Sequence, residues 1–287
     1  MISLARELSE AARIAGVPCE FIFIEDGSTE YLNQNKSITA HPDLTYIVQN
    51  ENSGRSAIRN ALAAKAKHPW LLFLDCDVLL PDSNLIDRYV KAADVCDVIC
   101  GGHIYPEQAP ASRRLHHIYG LKRECTTAEQ RKEQPFRSFM SGNFFIRKSL
   151  FDQVKFDETI KGYGHEDTLF GVELRERGAN LCHVDNPVIH VALDRDEAFL
   201  EKSKQALRNA LYLVKTGKIA PEEIRATETY YRLKKSAGGR AVLDWLIPSE
   251  AFLKEQLLRP NPRISSLDFL KLAWLRDLEN EVPDGTP

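Results

Sequence analysis

The sequence predicts an α/β protein: a wound, mostly parallel sheet followed by a helical appendage. Three observations predict it. Strand-length apolar runs alternate with helical spacing through the first two-thirds of the chain. The run that opens Trp70–Pro81 (WLLFLDCDVLLP) is apolar throughout, as suits a strand buried on both faces. Beyond Leu193 the strand-like runs stop and helical spacing takes over. Residues 1–192 are therefore read as the α/β domain and 193–287 as a helical C-terminal region.

The first helix is expected over residues 2–15, where Leu4, Leu8, Ala11, Ala12 and Ala15 recur at helical spacing, with Gly16 as its C-cap. Glu20–Glu25 and Tyr46–Gln49 read as strands. A helix is expected from about Gly54 to Ala66, with Asn52 or Ser53 as its cap. After Trp70–Pro81 come a helix near Ser83–Ala93 and a strand at Val95–Cys100. Gly101–Arg137 loses periodicity and reads as a long binding loop with a short helix near Thr127–Glu133. A turn then enters a strand around Phe139–Arg147. A helix running to Arg177 follows Gly164, Asn180–Val184 is a strand, and Asn186–His190 is extended. The helices of the C-terminal region are placed at 194–215, 222–235, 240–246 and 267–278, with Gly238-Gly239 and Pro260-Asn261-Pro262 as breaks.

Composition sets bounds. The chain has 287 residues, 43% hydrophobic and 28% charged, as in an ordinary soluble globular protein. A net charge of −3 gives no general pull toward nucleic acid or an anionic membrane. Apolar runs fall short of the ~20 residues that span a bilayer, and charged residues within Met1–Gly16 argue against a signal peptide. Without CxxC pairs, Cys19, Cys76, Cys96, Cys100, Cys125 and Cys182 are expected to be reduced core thiols of a cytoplasmic protein.

Four stretches carry chemistry. Asp75 and Asp77 end the apolar run and point the same way if the strand continues. Paired carboxylates at the edge of a core repel and are costly, and a hard divalent cation relieves that cost. The plainer reading is a polar turn with one Asp capping the next helix. Asp26 ends a strand before Gly27-Ser28, as a ligand contact or an Asx-turn. Gly54 with Arg55 and Arg59 at a helix start suits a diphosphate, or the arginines are simply solvated. Glu166 and Asp167 follow Gly162-Tyr163-Gly164-His165, where acids either cap the helix or face a substrate. His190 closes an extended segment, as a ligand or a structural histidine.

Taken in order, Glu25-Asp26-Gly27-Ser28, Asn52-x-Gly54…Arg59-Asn60, Asp75-Cys76-Asp77 and Gly164-His165-Glu166-Asp167 resemble the family two glycosyltransferases of the GT-A fold. The Gly-Tyr-Gly-His-Glu-Asp form with a later His190 is similar to the galactosyl- and N-acetylgalactosaminyltransferase-like branch. The resemblance implies roles. Asp26 holds the nucleotide base, Arg59 lies near the diphosphate, and Asp75 lies near the ribose or a metal-bound water. Asp77 ligates the metal, with His190 as a further contact. Gly142 and Asn143 line the donor-sugar site, as Gly54 lines the diphosphate site. Asp167 is the general base and Glu166 positions hydroxyls. One departure stands: family members usually begin with a strand, whereas here the chain opens on the helix that follows it.

The implied reaction is a metal-dependent, inverting transfer of a hexose or N-acetylhexosamine from a UDP-sugar. Mn2+ or Mg2+ is the implied cofactor. A glycan, lipid-linked at the inner membrane face by analogy, is the implied acceptor in cell-surface polysaccharide synthesis, and this gives the protein a peripheral membrane contact. Two rival readings are a non-catalytic nucleotide-sugar or glycan binding subunit and a nucleotidyltransferase. The second lacks the Gly-rich, basic loop after a first strand that such enzymes need.

Overall fold

The structure is a computed structural model and describes residues 1–40 and 43–282. In chain order it contains α1 (Ile2–Ala15), β1 (Phe21–Asp26), α2 (Leu32–Asn35), β2 (Leu44–Gln49), α3 (Arg55–Lys65), β3 (Trp70–Leu74), β4 (Val78–Leu79), α4 (Leu85–Ala92), β5 (Val98–Cys100) and β6 (His103–Ile104). There follow α5 (Arg114–Arg123), α6 (Ala128–Lys132), β7 (Asn143–Arg147), α7 (Lys148–Val154), α8 (Glu166–Glu176), β8 (Leu181–His183) and β9 (Val188–His190). The remainder is α9 (Asp196–Lys215), α10 (Arg225–Lys234), α11 (Ala237–Leu246), α12 (Glu250–Leu257) and α13 (Ile264–Leu278).

The chain divides into two compact units. The first comprises Met1–Pro106, Glu124–Glu158 and Glu173–Ala192. Leu4 and Leu8 of α1, Leu85 and Tyr89 of α4, and Ile99 and Val188 share one apolar cluster there. Gly16 closes α1 in the left-handed conformation (φ 65°), its N–H donating to Ala12 O. β1 and β2 pair in parallel. A four-stranded sheet has the order β3-β7-β5-β8 and a three-stranded one β4-β9-β6.

These sheets are mixed, which corrects the expectation of mostly parallel strands. β7 lies antiparallel between β3 and β5, while β5 and β8 are parallel. The reason is the long excursion after β6, which returns the chain in the opposite direction. Its apolar side chains still fill a strand buried on both sides, with Phe73 and Phe144 stacked 4.8 Å apart across the pair.

The loop expected at Gly101–Arg137 is also corrected, for it holds β6 and α5. The short helix expected near Thr127–Glu133 is present as α6, with a Thr127–Gln130 capping box. α5 buries Leu115, His116, His117 and Gly120, so its inward face carries imidazoles where the apolar pattern expects aliphatics. The thiol reading is corrected for one pair. Cys96 and Cys182 form a disulfide, because the neighbouring β5 and β8 bring residues 86 apart in sequence side by side. Cys19, Cys76, Cys100 and Cys125 are free.

The second unit comprises Glu107–Arg123, Thr159–Val172 and Leu193–Pro287. Its main core gathers Leu115, Leu207, Leu211, Tyr230, Leu243, Leu257, Leu267 and Trp274. Trp274 is fully buried, and its indole N–H donates to Glu250 Oε1 at 2.9 Å. A smaller cluster sets Ile160, Leu169 and Val172 against Leu213 and Ile219. Gly238-Gly239 is not a break but the first turn of α11. A Cβ at Gly239 would stand 2.1 Å from Leu233 O, so the close approach of α10 excludes a side chain there.

Candidate active site

The apolar run of β3 stops at Asp75, whose backbone N–H donates to Gly142 O at 3.1 Å. Arg59, one turn into α3 and almost wholly buried, donates from Nη2 to Asp75 Oδ1 at 3.0 Å. Burial raises the Asp75 carboxyl, but the charges of Arg59 and Arg55 and the Arg59 hydrogen bond outweigh it and leave the group below its usual range. Asp75 is therefore a carboxylate held in place.

Asp77 lies just before β4, which pairs antiparallel with β9 so that Val78 faces His190. Its Oδ1 is 3.8 Å from His190 Nδ1. Burial raises the Asp77 carboxyl, His190 lowers it, and Asp75 raises it again. The Tyr105 ring meets the His190 ring edge-on at 5.6 Å, and the Tyr105 hydroxyl donates to Glu124.

His103, on β6, is buried and its Nδ1 has no hydrogen-bond partner among the described residues. Burial pushes its imidazole down to about 4. A Cβ built on Gly142 would stand 2.7 Å from both Asp75 Oδ2 and His103 Nε2. The backbone at Gly142 thus lies directly against the carboxylate. Asn143 points its amide into the core. Oδ1 accepts from Tyr89 at 2.6 Å, and Nδ2 donates to Gly102 O and Asn186 O at 2.9 Å each. Asp26 anchors the start of α3, accepting from Ser53 N and Oγ at 2.7 Å and from Gly54 N at 3.1 Å. Gly54 itself has φ 91°, which favours glycine.

Glu166 and Asp167 open α8 and form part of the second unit. Glu166 is buried, and Asp167 Oδ1 accepts from Thr168 N at 2.7 Å. The preceding turn is pinned to α9 by one side chain. Asn209 Nδ2 donates to Lys161 O at 3.0 Å, Tyr163 O at 3.2 Å and Gly164 O at 3.1 Å. His165, at φ 69°, sits in that turn and its Nδ1 lies 3.1 Å from Thr168 Oγ1.

Among the sequence-predicted residues, the structure brings together Arg59 with Asp75, Asp77 with His190, and Gly142 with Asp75. Three others escaped notice. His103 follows a strand and a Gly-Gly pair, a weak signal beside the extended segment that ends at His190. Tyr105 lies two residues further along. Asn209 gives no local signal, because it is one polar residue in a long amphipathic helix.

The Glycosyl transferase family 2 model matches residues 4–155, more than half of the chain. The chain belongs to glycosyl transferase family 2. No match was found among curated proteins. Among solved structures, the mannosyltransferase PcManGT from Pyrobaculum calidifontis, in complex with GDP-Man and Mn2+, is similar with a TM-score of 0.61. It is 15% identical, and the match covers 98% of this chain and 84% of that one. S. aureus TarS 1–349 in complex with UDP matches at 15% identity over 98% and 88% of the two chains, with a TM-score of 0.48. The family 2 chain has the GT-A-like α/β fold, in its mixed-sheet form. Among its described residues no helix is long and apolar enough to cross a membrane.

No group of three or more His, Cys, Asp or Glu among the described residues is arranged to hold a metal ion. The pair Asp77–His190 nevertheless fits two corners of a cation's shell. Its 3.8 Å separation is within twice a bond of about 2.1 Å, and carboxylate oxygen with imidazole nitrogen suits manganese.

Proposed function

We propose that this family 2 glycosyltransferase moves a hexose or N-acetylhexosamine from a UDP-sugar to a glycan acceptor, with inversion and with Mn2+ or Mg2+. The observation that carries the reading is the cluster at the end of β3: Asp75 held by Arg59, and Asp77 beside His190. The residues given roles lie within 1–192, and 193–287 is the helical C-terminal region, which forms one compact unit with 107–123 and 159–172.

In this reading Asp77 and His190 hold the cation, and Asp75 faces the ribose or a metal-bound water. A bound cation supplies neutralisation of the charge that develops on the leaving diphosphate. Arg59 keeps Asp75 ionised and adds positive charge beside the diphosphate, and the Asp26–Gly54 contact sets the α3 N-terminus toward it. Gly142 and Asn143 line the donor-sugar site in this reading, with Gly142 keeping the backbone close to Asp75. Asp167 takes the acceptor proton as the hydroxyl attacks, and Glu166 orients that hydroxyl. A single displacement needs no covalent intermediate. The galactosyl/N-acetylgalactosaminyl branch is the proposed donor class, and a lipid-linked glycan at the inner membrane face is the proposed acceptor. PcManGT is described with GDP-Man, so GDP-sugars belong in the test beside UDP-sugars.

The test is nucleotide release from UDP- and GDP-sugars with manganese and mixed acceptors. Release of UDP that stops in Asp167→Asn while UDP binding survives supports the reading. Binding without release under every donor makes the protein a binding subunit instead.

A further inference from the structure

Arg131 lies in α6 and is almost wholly buried, yet the glycosyl-transfer reading gives it no task. A buried guanidinium is costly unless its N–H groups are met. Here they are met by several separate parts of the chain. Nη2 donates to Gly101 O at 3.2 Å and to Val184 O at 2.8 Å, Nη1 donates to Thr126 O, and Nε donates to His183 Nδ1 at 3.1 Å. His183 Nε2 lies 2.9 Å from Pro135 O. A carbonyl only accepts, so the proton is on Nε2 and Nδ1 carries the accepting lone pair. Burial lowers the His183 imidazole and keeps it in that neutral form.

Gly101 and Val184 mark the two places where the chain passes from one sheet to the other. β5 and β8 lie side by side in the four-stranded sheet, and β6 and β9 lie side by side in the three-stranded one. The chain runs from β5 to β6 through Gly101-Gly102, and from β8 to β9 through residues 184–187. The crossings are bonded to each other. Val184 N donates to Cys100 O at 3.0 Å, Asn186 N to Gly101 O at 3.2 Å and Val188 N to Gly102 O at 3.3 Å. Arg131 bonds to both crossings. Gly102, at φ 84°, lies against its guanidinium, where a Cβ would stand 2.5 Å from Nη1. A Cβ on Gly101 would meet Asn186 O, the Tyr89 hydroxyl and Asn143 Nδ2 instead. The Gly-Gly pair is therefore closely packed at both residues.

The strands that leave these crossings carry the site. His103 follows Gly102 directly, His190 ends β9, and Asp77 precedes β4, which pairs with β9. Asp75 instead follows β3 of the larger sheet. We propose that Arg131 is a positioning residue, whose guanidinium fork seats the three-stranded sheet on the four-stranded one and so sets the Asp77–His190 pair and His103 against Asp75. The placement stands on the contacts above, whereas its use for a cation rests on the glycosyl-transfer reading. A lysine at this position would keep the charge but not the fork.

The experiment measures manganese affinity by calorimetry and the imidazole resonances of His103 and His190 by NMR. It uses the full native chain, Arg131→Lys and His183→Leu. Arg131→Lys should weaken manganese binding about 10–100-fold, as loss of a group that orients metal ligands does, and should move both resonances in the metal-free protein. His183→Leu removes one acceptor of the fork and should act in the same direction. It decides the matter if Arg131→Lys no longer melts cooperatively. Trp274→Phe, which loses the bond to Glu250 in the other unit, controls for a plain loss of stability. It should melt earlier with manganese affinity and both resonances unchanged. Resonances that keep their native positions in the Arg131 and His183 variants would overturn the proposal, and so would equal shifts in Trp274→Phe. A native chain that binds no manganese would end the cation role in the glycosyl-transfer reading, while the resonances would still decide the placement.

Discussion

A methyl group at Gly142 would stand 2.7 Å from both Asp75 Oδ2 and His103 Nε2, closer than real Cβ contacts come. One neighbour is a carboxylate fixed by Arg59 and the other is a buried imidazole, so neither yields cheaply. Gly142→Ala should therefore displace Asp75. A loss of tenfold or more in kcat/KM is expected, with a melting temperature only a few degrees lower, read by steady-state kinetics and thermal denaturation. His103 sets a pH dependence. Burial holds its imidazole down to about 4 from the ordinary 6.5. Between those values the unfolded chain binds the proton and the folded chain does not. Stability then falls as the pH is lowered through that window, by up to ~3 kcal/mol. His103→Gln should flatten the profile of unfolding free energy between pH 6.5 and pH 4, and an unchanged slope would remove His103 as its source.

Among the elements, the turn before α8 depends on α9 more than on itself. Asn209 donates one amide group to three carbonyls of that turn. Asn209→Ala should lower stability by about 1–3 kcal/mol and reduce kcat more than KM, because Glu166 and Asp167 start where the turn ends. A variant with normal kcat would show that α8 holds its own start. This dependence was hidden in the sequence, which shows Asn209 only as a polar residue on a helix. What was legible is what local chemistry dictates. The spacing of Leu4, Leu8 and Ala11, the cap at Gly16 and the aliphatic run of β3 identify their elements at once. α5 was unreadable because its buried face includes His116 and His117. The antiparallel insertion of β7 and the Cys96–Cys182 pairing were unreadable because strand neighbours are a long-range matter. In the candidate site, Asp75 and Asp77 stood out as carboxylates ending an apolar strand. His103 did not, since its only local mark is a Gly-Gly pair after a strand and the carboxylate it lies near, Asp75, is 28 residues away in the sequence.

For the whole molecule, the two compact units are not two successive lengths of chain. Residues 107–123 and 159–172 belong with the C-terminal helices. Leu115 packs with Phe199 and Trp274, and Leu169 and Val172 pack with Leu213 and Ile219. A chain ending at residue 192 would leave those side chains in water, each at a cost of about 1.5–3 kcal/mol. Such a fragment should be insoluble or lack a cooperative melting transition. A well-folded fragment 1–192 would mean that the first unit organises them without the helices. The central claim concerns Asp77 and Asp167, which are 90 residues apart in the sequence and are given separate tasks in one reaction. The most direct measurement is calorimetric titration of UDP in the presence of manganese, run beside UDP-sugar turnover, on the native chain, Asp77→Ala and Asp167→Asn. The account predicts that Asp77→Ala loses manganese-dependent UDP binding and that Asp167→Asn binds normally but turns over at least a thousandfold more slowly, at the order expected for a lost general base. Metal-dependent binding retained by Asp77→Ala, or turnover by Asp167→Asn near the native rate, would contradict it.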